Sequence, residues 1–252
     1  MQGVTTIDRT RAFLVLAATI GTIAFNWMAA AGRVNGVTPS EVSAKYPTIV
    51  TPAGYAFSIW SLIYLGLVAF SIYQLLPRNV ERFAPVRSLY ILSCALNCAW
   101  IFFWHSDQIA ICLAIVAALF VVLLLINRKV SRPESNIEAL AVKAPFGIYL
   151  GWLTAATLVN FAIFLVYANV DLGSGAQILG AGLILVAAAF GVFVRTRWAN
   201  YFAPLAIAWA LTAIAVEQSG KTLVVAAAAV GVIACLIASL SFVFDLKSST
   251  NE

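Results

Sequence analysis

The chain has 252 residues, of which 63% are hydrophobic and only 10% are charged, and its mean hydropathy is +0.97. This composition excludes an ordinary soluble domain and indicates a protein that uses the lipid bilayer as its solvent. The formal net charge is +5, yet no basic run is interleaved with aromatic residues outside the apolar stretches. We therefore expect no nucleic-acid partner.

Eight apolar segments predict an all-α fold, a polytopic membrane bundle of about eight transmembrane helices. A membrane-spanning helix needs about 20 mostly apolar residues, and the third and seventh segments fall short of that length. The segments are residues 12–31, 54–76, 87–104, 108–126, 145–168, 176–194, 199–216 and 222–244. The first also resembles a signal peptide, but its long apolar run and Asn26–Trp27 favour a helix that is retained.

The basic residues alternate from one inter-helix connection to the next, which predicts the topology. The ends of the predicted spans on one side of the membrane hold 12 of the 15 basic residues, namely Arg9, Arg11, Arg78, Arg82, Arg87, Arg128, Lys129, Arg132, Lys143, Arg195, Arg197 and Lys247. The other set holds Arg33, Lys45 and Lys221. Cytoplasmic connections carry the excess of Lys and Arg, so both termini are expected in the cytoplasm, with the protein in a bacterial inner (cytoplasmic) membrane.

Two long connections and a change of composition suggest the domain organisation. The segment Gly32–Thr51 is rich in proline and glycine, which favours an ordered cap over a pocket mouth rather than a helix. The charged segment Asn127–Val142 is expected only to orient the protein. After residue 169 the spans contain few aromatic residues. We predict a five-helix core over residues 1–169 and an appended three-helix segment with a short cytoplasmic tail over residues 170–252.

Three predicted spans each carry aromatic and amide side chains at helical spacing. Residues at positions i, i+3, i+7 and i+11 lie on one face of a helix. The three stripes are Phe57, Trp60 and Tyr64; Asn97, Trp100 and Trp104; and Tyr149, Trp152, Ala156 and Asn160. Together they predict an interior lined with aromatic rings, which suits a flat, apolar ligand.

Each of these residues also has a purely structural interpretation. Tryptophan gathers at membrane interfaces, and we assign Trp27, Trp104 and Trp198 to such belts. Asn97 and Asn160 either hold helices together by hydrogen bonds or line the cavity, and the sequence leaves both open.

The residues that most membrane enzymes and ion-coupled transporters need are missing from the predicted spans. No buried charge, paired carboxylate set, metal-ligand cluster or phosphate-binding loop is recognisable. His105 beside Asp107 either acts as an acid–base pair or haem ligand, or simply forms a polar turn at the interface. Cys94, Cys98, Cys112 and Cys235 lie in apolar spans without acidic or histidine partners, so we expect no metal site.

Motifs in three spans resemble the TspO/MBR family of tryptophan-rich sensory proteins, relatives of the mitochondrial translocator protein (peripheral benzodiazepine receptor). Residues 52–64 read Pro-Ala-Gly-Tyr-Ala-Phe-Ser-Ile-Trp-Ser-Leu-Ile-Tyr; the third span carries Asn97, Trp100, Phe102 and Phe103; the fifth carries Tyr149, Trp152, Thr154–Thr157 and Asn160. The resemblance covers about residues 12–168. The chain departs from the family pattern at Tyr55, where a tryptophan is usual, and one residue, apparently the helical proline, is missing between Phe57 and Trp60.

The resemblance implies a membrane binder or sensor of a flat hydrophobic ligand, such as a porphyrin, another tetrapyrrole or a sterol. It implies no required cofactor, although a porphyrin or haem-like molecule would be a ligand, and it leaves a homodimer open. By position, the implied ligand-binding residues are Tyr55, Phe57, Trp60, Tyr64, Asn97, Trp100, Tyr149, Trp152 and Asn160. Two alternatives remain, a transporter of a neutral lipophilic solute and an enzyme for light-dependent porphyrin breakdown, and the lack of an acid–base pair counts against an enzyme.

Overall fold

The computed structural model describes residues 6–241, which fold almost entirely as helices with no strand in that range. The α-helices are α1 (Thr6–Ala30), α2 (Pro39–Ala44), α3 (Ile59–Tyr73), α4 (Ala84–His105), α5 (Ile109–Lys129), α6 (Asn136–Glu138), α7 (Ala144–Tyr167), α8 (Ala176–Trp198), α9 (Phe202–Glu217) and α10 (Thr222–Leu240). The all-α prediction is confirmed. The predicted cytoplasmic tail, Lys247 and the end of the last predicted span lie outside the described residues.

Seven stretches within residues 6–241 are long and apolar enough to cross a membrane. The seventh predicted span, residues 199–216, corresponds to α9, which has 16 residues and is therefore shorter than a bilayer requires. The protein is a polytopic helix bundle in which α9 is packed between longer neighbours.

The segment Gly32–Thr51 contains a short helix, which the sequence analysis did not predict. At the start of α2, Thr38 Oγ1 accepts a hydrogen bond from the amide of Glu41, and the Glu41 carboxylate accepts one from the amide of Thr38 at 2.7 Å. This capping box supplies partners for the free amides of the first turn, and Pro39 has the backbone angle that a first helical residue needs. The prediction that this segment contains no helix was therefore wrong.

Helix α7 is the most buried of the membrane helices. It packs against α3, α5 and α9, and its glycines allow close approach. A Cβ atom at Gly151 would overlap the carbonyl oxygen of Ala203, and one at Gly147 would overlap the side chain of Asn200. Small residues let membrane helices pack backbone to backbone, so α9 lies directly against α7.

The connection between α5 and α7 does more than orient the protein. Glu138 is 3% exposed, and its carboxylate accepts hydrogen bonds from Arg82 Nε at 3.1 and 3.0 Å and from Arg82 Nη2 at 2.6 Å. The hydrogen bond to Glu138 raises the pKa of Arg82, so the arginine stays charged. This bidentate pair ties the turn before α4 to α6, which precedes α7.

Candidate functional site

A cavity lies inside the bundle, among α3, α4, α5, α7 and α9, with α2 at one end. About 660 Å³ of it, including its mouth, is not filled by protein atoms, and most of that space lies close to the walls. It is therefore a narrow slot. The lining residues are Ser43, Pro52, Phe57, Trp60, Asn97, Trp100, Trp104, Val116, Leu119, Trp152, Leu153, Ala155, Ala156, Val159, Asn160, Ile163, Ala210 and Ile214. None of them is ionisable, and the walls are almost wholly apolar.

Six of the nine predicted ligand-binding residues line this slot, namely Phe57, Trp60, Asn97, Trp100, Trp152 and Asn160. Tyr64 and Tyr149 stand behind Trp60: Tyr64 stacks on it with ring centroids 5.5 Å apart, and Tyr149 meets it edge-on at 5.6 Å. Tyr55 lies away from the slot, 44% exposed, with its ring edge against Trp209 of α9. Whether any of the nine binds a ligand remains a prediction.

The aromatic rings in the slot hold one another in fixed orientations. Trp60 and Trp152 meet edge-to-face at 6.4 Å, and Phe57 meets Trp152 in the same way at 5.9 Å. Trp100 and Trp104 lie nearly parallel at 5.0 Å on the α4 side. Edge-to-face and offset-stacked pairs each contribute about 0.5–1.5 kcal/mol beyond the burial of apolar area, so these contacts stabilise the walls of the slot.

The two asparagines of the slot are already hydrogen-bonded within the protein. Asn97 Oδ1 accepts from Asn26 Nδ2 at 2.7 Å, and Asn97 Nδ2 donates to the Tyr149 hydroxyl at 3.1 Å. Asn160 Oδ1 accepts from Trp100 Nε1 at 3.2 Å. Both side chains therefore join helices. Asn160 Nδ2 also donates to the carbonyl of Ala156 at 2.8 Å, so within residues 6–241 one N–H of each side-chain nitrogen has no partner.

Other polar groups near the slot are not hydrogen-bonded. Within the described part of the chain, neither the indole N–H of Trp60 nor that of Trp152 donates a hydrogen bond, and the Tyr64 hydroxyl has no partner. Trp100, Trp104 and Trp209, in contrast, all use theirs. The free donors thus cluster on the α3 and α7 walls.

Several residues that line the slot are not among the nine predicted ligand-binding residues. Trp104 belongs to the stripe predicted on the third span but was also assigned to an interface belt and left out of the ligand-binding residues. It is 2% exposed, lines the slot and donates from Nε1 to the carbonyl of Pro39 at 3.0 Å. Its spacing of four residues from Trp100 was the available signal. Ala210 and Ile214 of α9 complete the opposite wall, and small aliphatic residues of this kind carry no sequence signal for a site.

His105 is a buried residue outside the slot. It is 5% exposed, its Nδ1 lies 2.8 Å from the carbonyl of Ile101, and its Nε2 has no partner among residues 6–241. It forms no ion pair with Asp107 in that range. Burial and then a hydrogen bond with Asp107 raise the pKa of Tyr46, so Asp107 faces the segment that carries α2. This arrangement is that of a polar turn at the end of α4.

The fold and the slot together define an all-α integral membrane protein with an aromatic cavity inside its bundle. The model of the TSPO-like protein family matches residues 12–242, and the chain therefore belongs to the TspO/MBR family. No curated protein and no solved structure matched the chain. The family match runs through both predicted domains, residues 1–169 and 170–252, as far as residue 242, and the division between them remains a prediction.

Proposed function

We propose that the protein binds, and acts as a sensor of, a flat hydrophobic molecule of the porphyrin, tetrapyrrole or sterol-like class. The observation that carries this proposal is the slot's wall of Phe57, Trp60, Trp100, Trp104 and Trp152. Apolar, aromatic walls with a few polar groups are typical of small-molecule sites. A slot bounded by rings on several sides favours a planar molecule over a bulky one.

The polar groups of the slot support binding rather than catalysis. No lining residue can act as a general acid or base, because none is ionisable. The unpaired N–H groups of Trp60 and Trp152 are available to a hydrogen-bond acceptor on the ligand, such as a ring nitrogen or a carbonyl oxygen. Asn97 and Asn160 keep their walls in place and each offer one remaining N–H.

We also propose the location and orientation that the charge pattern predicts, a bacterial inner membrane with both termini in the cytoplasm. The support is the set of basic residues at the ends of α1, α5 and α8, which occur at the same side of the bundle in an alternating topology. We refer to that side as the basic face.

Tryptophan fluorescence of the purified protein in lipid nanodiscs, titrated with protoporphyrin, tests the proposed function. We expect saturable quenching, with an affinity reduced about 5- to 20-fold in Trp60→Phe and Trp152→Phe, because each loses ring area and an N–H donor. Trp27→Phe is the matched control, since Trp27 is 58% exposed and lies outside the slot. Quenching that does not saturate, or that all three variants leave unchanged, would refute the proposal.

A further inference from the structure

A second, more polar cavity adjoins the slot at the face opposite the basic one. We call it the vestibule; its walls include Ser40, Thr48, Thr51, Glu217, Gln218 and Lys221, and it holds about 870 Å³ of unfilled space including its mouth. Ser43, Pro52 and Phe57 line both cavities. The two cavities therefore share part of their walls at the end of the slot where α2 lies.

The vestibule is built by the last helices as much as by the segment that caps the slot. Gln218, 6% exposed at the end of α9, donates from Nε2 to the carbonyls of Thr48 and Thr51 at 3.2 and 3.0 Å. The amide of Ala53 donates to the carbonyl of Ala213 at 3.0 Å. The capping segment is thus fastened to α9, and the turn between α9 and α10 forms the vestibule's other wall.

Gln218 also orients the ammonium group of Lys221 in this wall. Lys221 Nζ donates to Gln218 Oε1 at 2.7 Å, so Gln218 holds the capping segment and the ammonium group together. Lys221 is partly buried and immediately precedes α10, whose N-terminus carries a partial positive charge. Within the described residues, no ion pair joins it to the exposed Glu217. Two of its three N–H donors remain for a ligand.

We infer that the ligand is an amphiphilic carboxylate, whose flat body lies in the slot and whose carboxylate reaches Lys221 in the vestibule. This inference rests on the proposed function and adds the chemical class of the ligand's polar end. The apolar slot has no group to neutralise a carboxylate, whereas the vestibule offers an oriented ammonium group and water. The inference also gives the turn between α9 and α10 a part in ligand binding.

The test compares protoporphyrin, which has two carboxylates, with its dimethyl ester, both titrated into the protein in nanodiscs of zwitterionic lipid. A charge-assisted hydrogen bond at a partly exposed site favours the diacid by about 5- to 10-fold. We expect that preference in the wild type and in Lys221→Arg, and its loss in Lys221→Met. The ratio of affinities is compared between variants, so unequal partition of the two probes into the bilayer cancels.

Lys45→Met is the matched control, because Lys45 lies in the same capping segment, is exposed and lines neither cavity. The preference for the diacid should also weaken with added salt in the wild type and not in Lys221→Met, which a purely structural lysine would not cause. Equal binding of both probes, or a preference that survives Lys221→Met, would overturn the inference and leave the proposed function standing. Failure of both probes to bind would refute the proposed function, and the inference with it.

Discussion

Asn97 shows how one side chain serves both the fold and the cavity. Its amide links Asn26 of α1 to Tyr149 of α7 while one side of it borders the slot. Hydrogen bonds between membrane helices are individually modest, at about 0.6–2 kcal/mol, but this one fixes the α4 wall against two neighbours. Trp100 and Asn160 repeat the arrangement one turn further along α4.

We predict that Asn97→Leu lowers the free energy of unfolding by about 1–2 kcal/mol, because Tyr149 and Asn26 each lose a partner in an apolar interior. Thermal unfolding in detergent measures the change. In a double-mutant cycle, Tyr149→Phe should cost less in the Asn97→Leu protein than in the wild type. Unchanged stability with weakened ligand binding would instead make Asn97 chiefly a ligand-binding residue.

The residues of the slot were predictable where they are large and periodic. The stripes on α3, α4 and α7 were readable because a helix places residues at i, i+3 and i+7 on one face, and the slot collects Trp60, Trp100 and Trp152 from them. The hydrogen bonds that join Asn97 and Asn160 to other helices were not readable, since their partners there are 52–71 residues away along the chain.

At the scale of the helices, the connection between α5 and α7 holds the basic face together. Its key contact is the bidentate pair of Arg82 with Glu138, whose side chains are 27% and 4% exposed. A second carboxylate, Glu134, also contacts Arg82 but is 70% exposed. The two acidic residues therefore offer a buried and an exposed partner for one guanidinium group.

Glu138→Gln should lower the free energy of unfolding by about 1–3 kcal/mol, because a mostly buried guanidinium pair loses its counter-charge. Glu134→Gln is the control, and it should change stability by less than about 0.5 kcal/mol, since exposed pairs contribute little. Both changes are measured by thermal unfolding at moderate ionic strength. Equal effects of the two substitutions would show that the buried geometry contributes nothing.

The helix boundaries followed from the sequence more closely than the connections did. Apolar length predicts a membrane helix because lipid leaves the backbone no other partner for its N–H and C=O groups. The short helix α2 was missed although Thr38 and Glu41 carry the capping-box spacing. Proline and glycine in the same segment favoured an irregular cap, and local capping outweighed them.

For the molecule as a whole, the last three helices are part of the architecture of the site. Helix α9 packs directly against α7, supplies Ala210 and Ile214 to the slot and holds the capping segment through Gln218. No sequence pattern indicated this, because the contacts rest on glycine, alanine and a single glutamine. The predicted division into a core over residues 1–169 and an appended bundle rests on the change of composition after residue 169. It does not reflect the contacts that α9 makes with α7 and the slot.

A substitution that fills the slot shows whether the slot itself holds the ligand. Ala156→Leu adds bulk to the α7 wall without removing any ring, whereas Ala189→Leu adds the same bulk to an exposed position on α8. We predict that Ala156→Leu weakens protoporphyrin binding at least about tenfold with unfolding temperature preserved, and that Ala189→Leu binds as the wild type does. Undiminished binding to Ala156→Leu would place the ligand outside the slot and refute the proposed site.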